Sequence, residues 1–438
     1  MDSGTLSLGY LAHRKQRHPI RNGAQVHRFT GSQVHSEEFP LSNLSPQHLD
    51  KRERSALYLL VTIVLLGNTA AIGGRVAIPL FAVNQSASPM TVGLILAASS
   101  IIPVFFSILI GRWVDRVGAR VPMQIGTATL VAGLAIPWMM PSLWALAACA
   151  AVLGISMAMI FISIQHAAAT MGSASTRMRI FTAITVGQSV PVLLGPPMAG
   201  FLIDGMGYQT AFLGLVLLAL VVAVVLFLAR AILPDAPHPA AKTKRKLFEL
   251  LRHPGVRTAL IISSLSPLGW EMLFFFVPVH GTRIGLSAST IGLVFSCFSV
   301  SLIGVRVAVP WLSRLASQWV LIAVSFGIAA GIFLLFSFAN TAAAMMALAI
   351  VLGACHGVNV PITLGIVHAA SPPSRHAEVL GMRSTVLNSV AVVAPLFLGA
   401  LTSSIGLGAA ALPLALMLMA GSRFAYVLKN RRESPGAE

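Results

Sequence analysis

Between residues 55 and 428 the chain alternates long apolar runs with short polar breaks, a pattern unlike the amphipathic periodicity of soluble helices or strands. Spans are predicted at 55–82, 91–110, 121–140, 142–169, 179–203 and 208–232, and again at 258–280, 288–309, 318–338, 341–369, 378–402 and 407–428. Each approaches or exceeds the roughly 20 residues with which a helix crosses a bilayer. No Asp, Glu, Lys or Arg occurs in 121–176 or in 315–374, so each of these stretches has room for two spans. In hydrocarbon every backbone polar group must be satisfied internally, which leaves helices or a closed barrel. Continuous apolar runs exclude the barrel, whose strands alternate. The chain therefore reads as an all-α membrane protein of twelve transmembrane helices, numbered here as spans 1 to 12.

Composition agrees, with 56% hydrophobic and 10% charged residues and a mean hydropathy of +0.83. The net charge of +17 raises the question of a nucleic-acid partner, and its distribution answers it. With the tails, the link 233–257 and alternate loops on one side, Arg283 is the basic residue left for the other side, and Arg75 and Arg306 fall inside the membrane. That asymmetry follows the positive-inside rule. It puts both termini in the cytoplasm and the protein in the plasma membrane, the inner membrane of a bacterium, with no nucleic acid needed. Residues 1–54 read as a disordered basic cytoplasmic tail without a signal peptide, and 431–438 as a second tail. In the link, Leu247, Phe248, Leu250 and Leu251 among Lys246, Arg252 and Arg257 fit a short helix on anionic headgroups. A flexible linker carrying topogenic charge fits as well. Cys149, Cys297 and Cys355 sit in apolar runs, so no disulfide, metal or cofactor framework is expected.

The two sets of spans repeat each other at an offset of 199 residues: Pro79 and Pro278, Gly93 and Gly292, Gly154 and Gly353, Pro196 and Pro395, Gly200 and Gly399, Gly207 and Gly406. An ungapped register through five helices implies two parallel six-helix bundles, 55–232 and 258–430, able to rock about a central site.

The segment after the predicted span 2 reads Gly111-Arg112-Trp113-Val114-Asp115-Arg116-Val117-Gly118-Ala119-Arg120. It resembles the signature of the major facilitator superfamily and departs from it only at Ala119. As a loop, it would use Gly111 for close helix approach and Gly118 for a tight turn, with Asp115 accepting hydrogen bonds from a helix N-terminus. The resemblance implies two pseudo-symmetric six-helix bundles. It also implies that Asp115, Arg116 and Arg120 latch the cytoplasmic ends together when the cavity opens outward; a topogenic loop is the plain alternative. In the second half Pro310 and Arg314 take the Gly and Asp positions, which makes the latch asymmetric. Span 5 carries Gly195-Pro196-Pro197-Met198-Ala199-Gly200, similar to the motif of drug and metabolite proton antiporters except at Ala199 and at Pro191. Close packing and helix bending explain the same residues structurally. Span 4 lacks the Arg that many such antiporters carry.

Polar residues inside a membrane are costly and mark pathways. Asn68, Gln188, Glu271, His356, Asn359 and Asn388 fall near mid-span, and Arg75 lies about two turns outward of Asn68. The resemblance puts spans 1, 4, 7 and 10 around the cavity, where Arg75, Glu271 and His356 would converge. Glu271 is the acid inside a predicted span and so the first candidate for a proton carrier; a structural ion pair with Arg75 fits equally. His356 titrates near neutrality, but a lone His in an apolar helix more often serves as a hydrogen-bonding spacer. Arg306 is expected to snorkel at the end of span 8, and Gln165 and His166 lie near the end of span 4. The expected activity is export of a small organic molecule by a monomer, driven by a proton gradient. The second reading is import of an anionic metabolite, favoured by Arg75 and Arg306. No span carries a nucleophile with its base, paired carboxylates or a metal cluster, so an enzyme is not expected. A sensor would need a soluble output module.

Overall fold

Each apolar run is helical in the computed structural model, which describes residues 51–170, 180, 184, 187–229, 231–232, 248–372 and 375–433. Span 1 consists of Lys51–Thr62 and Asn68–Asn84 joined by a π-helical turn at Ile63–Gly67. Spans 2 to 6 are Pro89–Val117, Arg120–Met139, Leu143–Thr170, Val190–Met206 and Tyr208–Leu228. Spans 7 to 12 are Pro254–Arg283, Ala288–Leu315, Gln318–Phe336, Ala342–Ala370, His376–Ile405 and Leu407–Glu433. Eleven of these are long and apolar enough to cross a membrane, and Val190–Met206 is the shorter twelfth; its predicted beginning at 179 falls largely outside the described residues. No strand occurs among the described residues. Residues 1–50 of the predicted tail 1–54, most of the link (233–247) and 434–438 also lie outside them, whereas 51–54 begin the helix of span 1 and 431–433 end that of span 12. Of the predicted headgroup helix only Phe248–Arg252 is described, and there Leu250 is 3% exposed, packed into protein.

Four expectations are corrected. Spans 2 and 8 continue past their apolar runs to Val117 and Leu315, because polar side chains end the lipid-facing stretch without ending the helix. The 111–120 motif is therefore mostly helical, and its turn is Gly118, at φ +81°. Gly111 brings no helix close, since no atom lies within 4 Å of where its Cβ would stand. Arg306, nine residues before the end of span 8, is about two and a half turns from it. Finally, Glu271 is not the one acid on a spanning helix: Asp115, Asp204 and Glu378 lie on helix ends, and Arg383 is a cation within span 11.

The 199-residue offset reappears as repeated geometry. Ser88 and Ser287 cap spans 2 and 8, each accepting from a backbone N–H three residues on, Thr91 and Thr290, at 3.2 Å. Gly154 of span 4 lies on the Ser99 carbonyl of span 2, and Gly353 of span 10 on the Phe298 carbonyl of span 8. Spans 2 and 11 form one seam and spans 5 and 8 another. In the first, Gly93 meets Pro395 and Gly399; in the second, Gly292 meets Pro196 and Pro197 while Gly200 meets Ala288. At the end of the molecule remote from the link, Asp204 accepts the Ala288 and Ser289 N–H groups at 3.0 and 2.8 Å, a charged cap on the start of span 8. Its repeat equivalent Ser403 accepts the Met90 N–H at 3.0 Å.

A Cβ on Gly292 would stand 2.6 Å from the Pro196 carbonyl oxygen, whereas one on Gly331 would meet nothing within 4 Å. Gly292→Ala is therefore expected to destabilise the protein by about 1–3 kcal/mol through overpacking. Gly331→Ala should be neutral or gain up to about 1 kcal/mol from helix propensity. Unfolding midpoints in detergent check the pair, and equal shifts would contradict the seam.

Candidate functional site

The seams leave a cavity of about 410 Å³ that both halves line. Its wall takes Ala71, Ile72, Arg75 and Ile78 from span 1, Ser99, Ser100, Pro103 and Ser107 from span 2, and Met157, Phe161 and Gln165 from span 4. Span 7 gives Trp270, and span 11 gives Ser384 and Asn388. Ser107, Gln165 and Ser384 lie toward the link end, so the cavity extends that way, while the capped starts of spans 2 and 8 lie at the opposite end. The wall is largely apolar with a few polar groups, the usual make-up of a small-molecule site, and the volume falls in the usual range.

Among the described residues Arg75 is the one charged side chain in the cavity wall, and it bridges the halves. Its Nη2 donates to both carboxylate oxygens of Glu271 at 2.8 Å. Its guanidinium lies over the Phe274 ring, 4.5 Å from the centroid. The Arg75 side chain is 25% exposed and that of Glu271 only 4%, so the base faces the cavity and the acid stands behind it. A lone charge at such depth costs about 2.5–3.5 kcal/mol by insertion scales, which explains why the two occur together.

The structure divides the sequence-predicted residues. Arg75, Asn388 and Gln165 line the cavity and Glu271 reaches it through Arg75. Asn68 is buried at the end of the π-helical turn, and Gln188 lies in a turn before span 5; neither is in the cavity wall. His356 and Asn359 are behind span 7, beside a crevice of about 10 Å³. His356 lies between Trp270 and Phe298, with ring centroids 5.7 and 5.9 Å away. Asn359 accepts a 2.6 Å hydrogen bond from Ser325, so it ties span 10 to span 9. Arg306 does not snorkel: it donates to Oγ of Ser189, the residue just before span 5, at 2.9 Å.

The motif residues lie at the link end. Asp115 is 3.4 Å from His166 Nδ1 of span 4 and has no hydrogen bond or ion pair to the second half among the described residues. Arg116 is on the last turn of span 2, and Arg120 starts span 3. In span 5, Gly195 packs on Thr69 and Gly73 of span 1, and Pro196 and Gly200 face span 8.

Several of the residues that sequence reasoning missed are small or short-chained. Ser99, Pro103 and Ser107 recur at helical spacing on one face of span 2, and Ser384 and Asn388 stand four apart on span 11. That spacing was the available signal. Trp270 gave none, since an aromatic in an apolar helix usually faces lipid or core. Among the described residues no group of three His, Cys, Asp or Glu side chains is arranged to hold a metal ion.

No curated protein matches the sequence. Among solved structures, the chain is similar to a bacterial homologue of the human lysosomal transporter Spinster in an inward-facing, unoccupied conformation, with TM-score 0.71 and 15% identity over 88% of this chain and 100% of that one. It is similar to a POT family transporter in complex with a thioalcohol-conjugated peptide (TM-score 0.73, 12% identity, 87% of this chain, 97% of the other). A nucleoside transporter has the same fold (TM-score 0.66, 14% identity, 85% and 99%). The sequence profile of the Major Facilitator Superfamily matches residues 58–344 and 284–438. With that match over nearly all of the helical region, the chain belongs to the Major Facilitator Superfamily of membrane transporters.

Proposed function

We propose that the chain is a proton-coupled secondary transporter that moves a small organic molecule across the plasma membrane by alternating access, with the link and both termini in the cytoplasm. One observation carries this reading: a cavity lined by both halves is bordered by an ion pair, Arg75 and Glu271, whose members come from different halves. Rocking of the halves must stretch or break that pair, and protonation of Glu271 removes the attraction. A proton taken up on one side can thus be linked to the state of the cavity.

The basic link supports a cytoplasmic assignment for the end toward which the cavity extends, by the positive-inside rule. On that assignment the present form is inward-open, like the form in which the Spinster homologue was solved. Asp115 and His166 belong to the same half, which suits a latch released in this state. Export remains supported by the resemblance of the span 5 motif, but the packing of Gly195 and Gly200 accounts for those glycines without any direction of transport.

In a background without native cysteines, a membrane-impermeant thiol reagent added to intact cells should label position 340 and leave position 252 untouched; the reverse pattern would invert the topology. Asp115→Asn should change stability by less than about 0.5 kcal/mol in this form, since Asp115 is 44% exposed and pairs with His166 at 3.4 Å. It should nevertheless increase labelling of a cysteine at position 384 from the cytoplasmic side, by weakening the outward-open competitor. Unchanged labelling at equal expression would count against the latch. In vesicles with an imposed pH gradient, Glu271→Gln should abolish uphill transport while exchange persists. If Glu271→Gln retains full uphill transport, Glu271 is not the coupling group.

A further inference from the structure

The cavity's charge is arranged for one kind of ligand. Arg75 carries five N–H donors, and Nη2 alone is used on both oxygens of Glu271. Among the described residues Nη1 has no hydrogen-bond partner, and Nε is buried without one. A guanidinium matches a carboxylate best through two parallel bonds from two nitrogens, so the pairing with Glu271 leaves donor capacity unused. The stacking on Phe274 holds the guanidinium plane, and Glu271 sits behind it, out of the cavity wall. An anion in the cavity therefore reaches Arg75 before Glu271. The rest of the wall is apolar or hydroxyl-bearing, including Met157, Phe161, Trp270, Ser99 and Ser100.

We propose that the substrate is a small amphipathic organic acid whose carboxylate binds Arg75 in competition with Glu271, and that each anion is accompanied by one proton taken up on Glu271. The proposal rests on the transport reading above and assigns its substrate class and the sign of its coupling. Two carboxylates on one guanidinium leave an excess negative charge away from water, and a proton on Glu271 relieves it. Conversely, a proton on Glu271 frees Arg75 for the anion. Binding of the two is thus mutually favourable, as linkage requires. Under an inward proton gradient such coupling drives uptake.

Other charged groups near span 7 do not take over this role. His356 of span 10 is enclosed by Trp270 and Phe298, and Arg306 of span 8 is turned to Ser189. His280, on span 7 itself, bonds the Ala339 carbonyl at 3.0 Å. Arg383 of span 11 has no hydrogen bond or ion pair among the described residues, and its Nε is buried. It is not among the residues of the cavity wall. On span 2, Arg112, Asp115 and Arg116 lie in the last two turns, and on span 12 Arg423 and Tyr426 border a surface groove with span 9, with Lys429 near its end.

The test measures binding to purified protein with a matched series of aryl and alkyl carboxylates, their amides and their amines. Carboxylates should bind and the amides and amines should not. Carboxylate affinity should rise by up to about tenfold per pH unit on acidification, with about one proton taken up per anion bound in a weakly buffered solution. Glu271→Gln should retain binding and lose its pH dependence. Arg75→Ala should lose binding. Because that variant leaves a buried acid alone, Arg75→Ala combined with Glu271→Gln is measured beside it and should fold but not bind. Proton release on binding, affinity independent of pH, binding confined to amides or amines, or binding by no member would overturn the proposal. Uphill transport of an amine that still needs Glu271 would sink the anion assignment alone. Carboxylate transport indifferent to a pH gradient would sink the proton coupling of the function proposed above.

Discussion

Where the two halves meet, backbone must touch backbone. Spans 2 and 11, and spans 5 and 8, approach so closely that side chains larger than hydrogen cannot stand between them at Gly93, Gly200, Gly292 and Gly399. In a bilayer this kind of contact stands in for the hydrophobic effect, because lipid tails are as apolar as leucine and only packing and polar bonds favour association. The same seams define the cavity, since tight contact toward one end leaves room toward the other. Asp204 and Ser403 fasten the tight end unequally, one through a carboxylate on two N–H groups and the other through a hydroxyl on one. The charged fastening is the stronger of the two, so the span 5–8 seam is the firmer closure.

Within that frame the Arg75–Glu271 pair is, among the described residues, the one ion pair between the halves at membrane depth. Its strength is conditional. Truncating one partner of a buried pair costs about 3–5 kcal/mol, whereas neutralising both can cost nothing. A device of this type can hold one arrangement and release it when a proton or an anion changes the local charge. Two other embedded polar groups lie outside the cavity wall: Asn359 ties span 10 to span 9, and His356 lies between two aromatic rings.

The sequence made the spans legible because lipid demands long apolar runs, and it made the repeat legible because glycine and proline mark helix crossings and turns that recur in both halves. Gly207 and Gly406 illustrate this, with φ of +82° and +84° at the same point of each half. The ion pair was legible because Arg75 and Glu271 were isolated opposite charges in apolar surroundings. Facing was not legible. Spans 4 and 10 are apolar nearly all round, so nothing in the sequence tells that Gln165 faces the cavity while His356 and Asn359 turn away from it. Helix ends beyond the lipid were misread for a related reason: polarity marks the edge of the bilayer, and the helices containing Asp115 and Arg314 run past that edge. Contacts made across 84 and 313 residues, such as those of Asp204 and Ser403, leave no local pattern at all.

The central claim is that Glu271 is a switch and not a fixed partner of Arg75. Infrared difference spectroscopy of the folded protein during acid titration observes this directly, through the carbonyl stretch that a carboxylate lacks and a carboxylic acid has. The account predicts a new carboxylic-acid band on acidification, larger when a bound organic acid is present and missing in Glu271→Gln. A Glu271 that stays ionised at every pH at which the protein remains folded, with or without an organic acid, would make the pair purely structural and contradict the account.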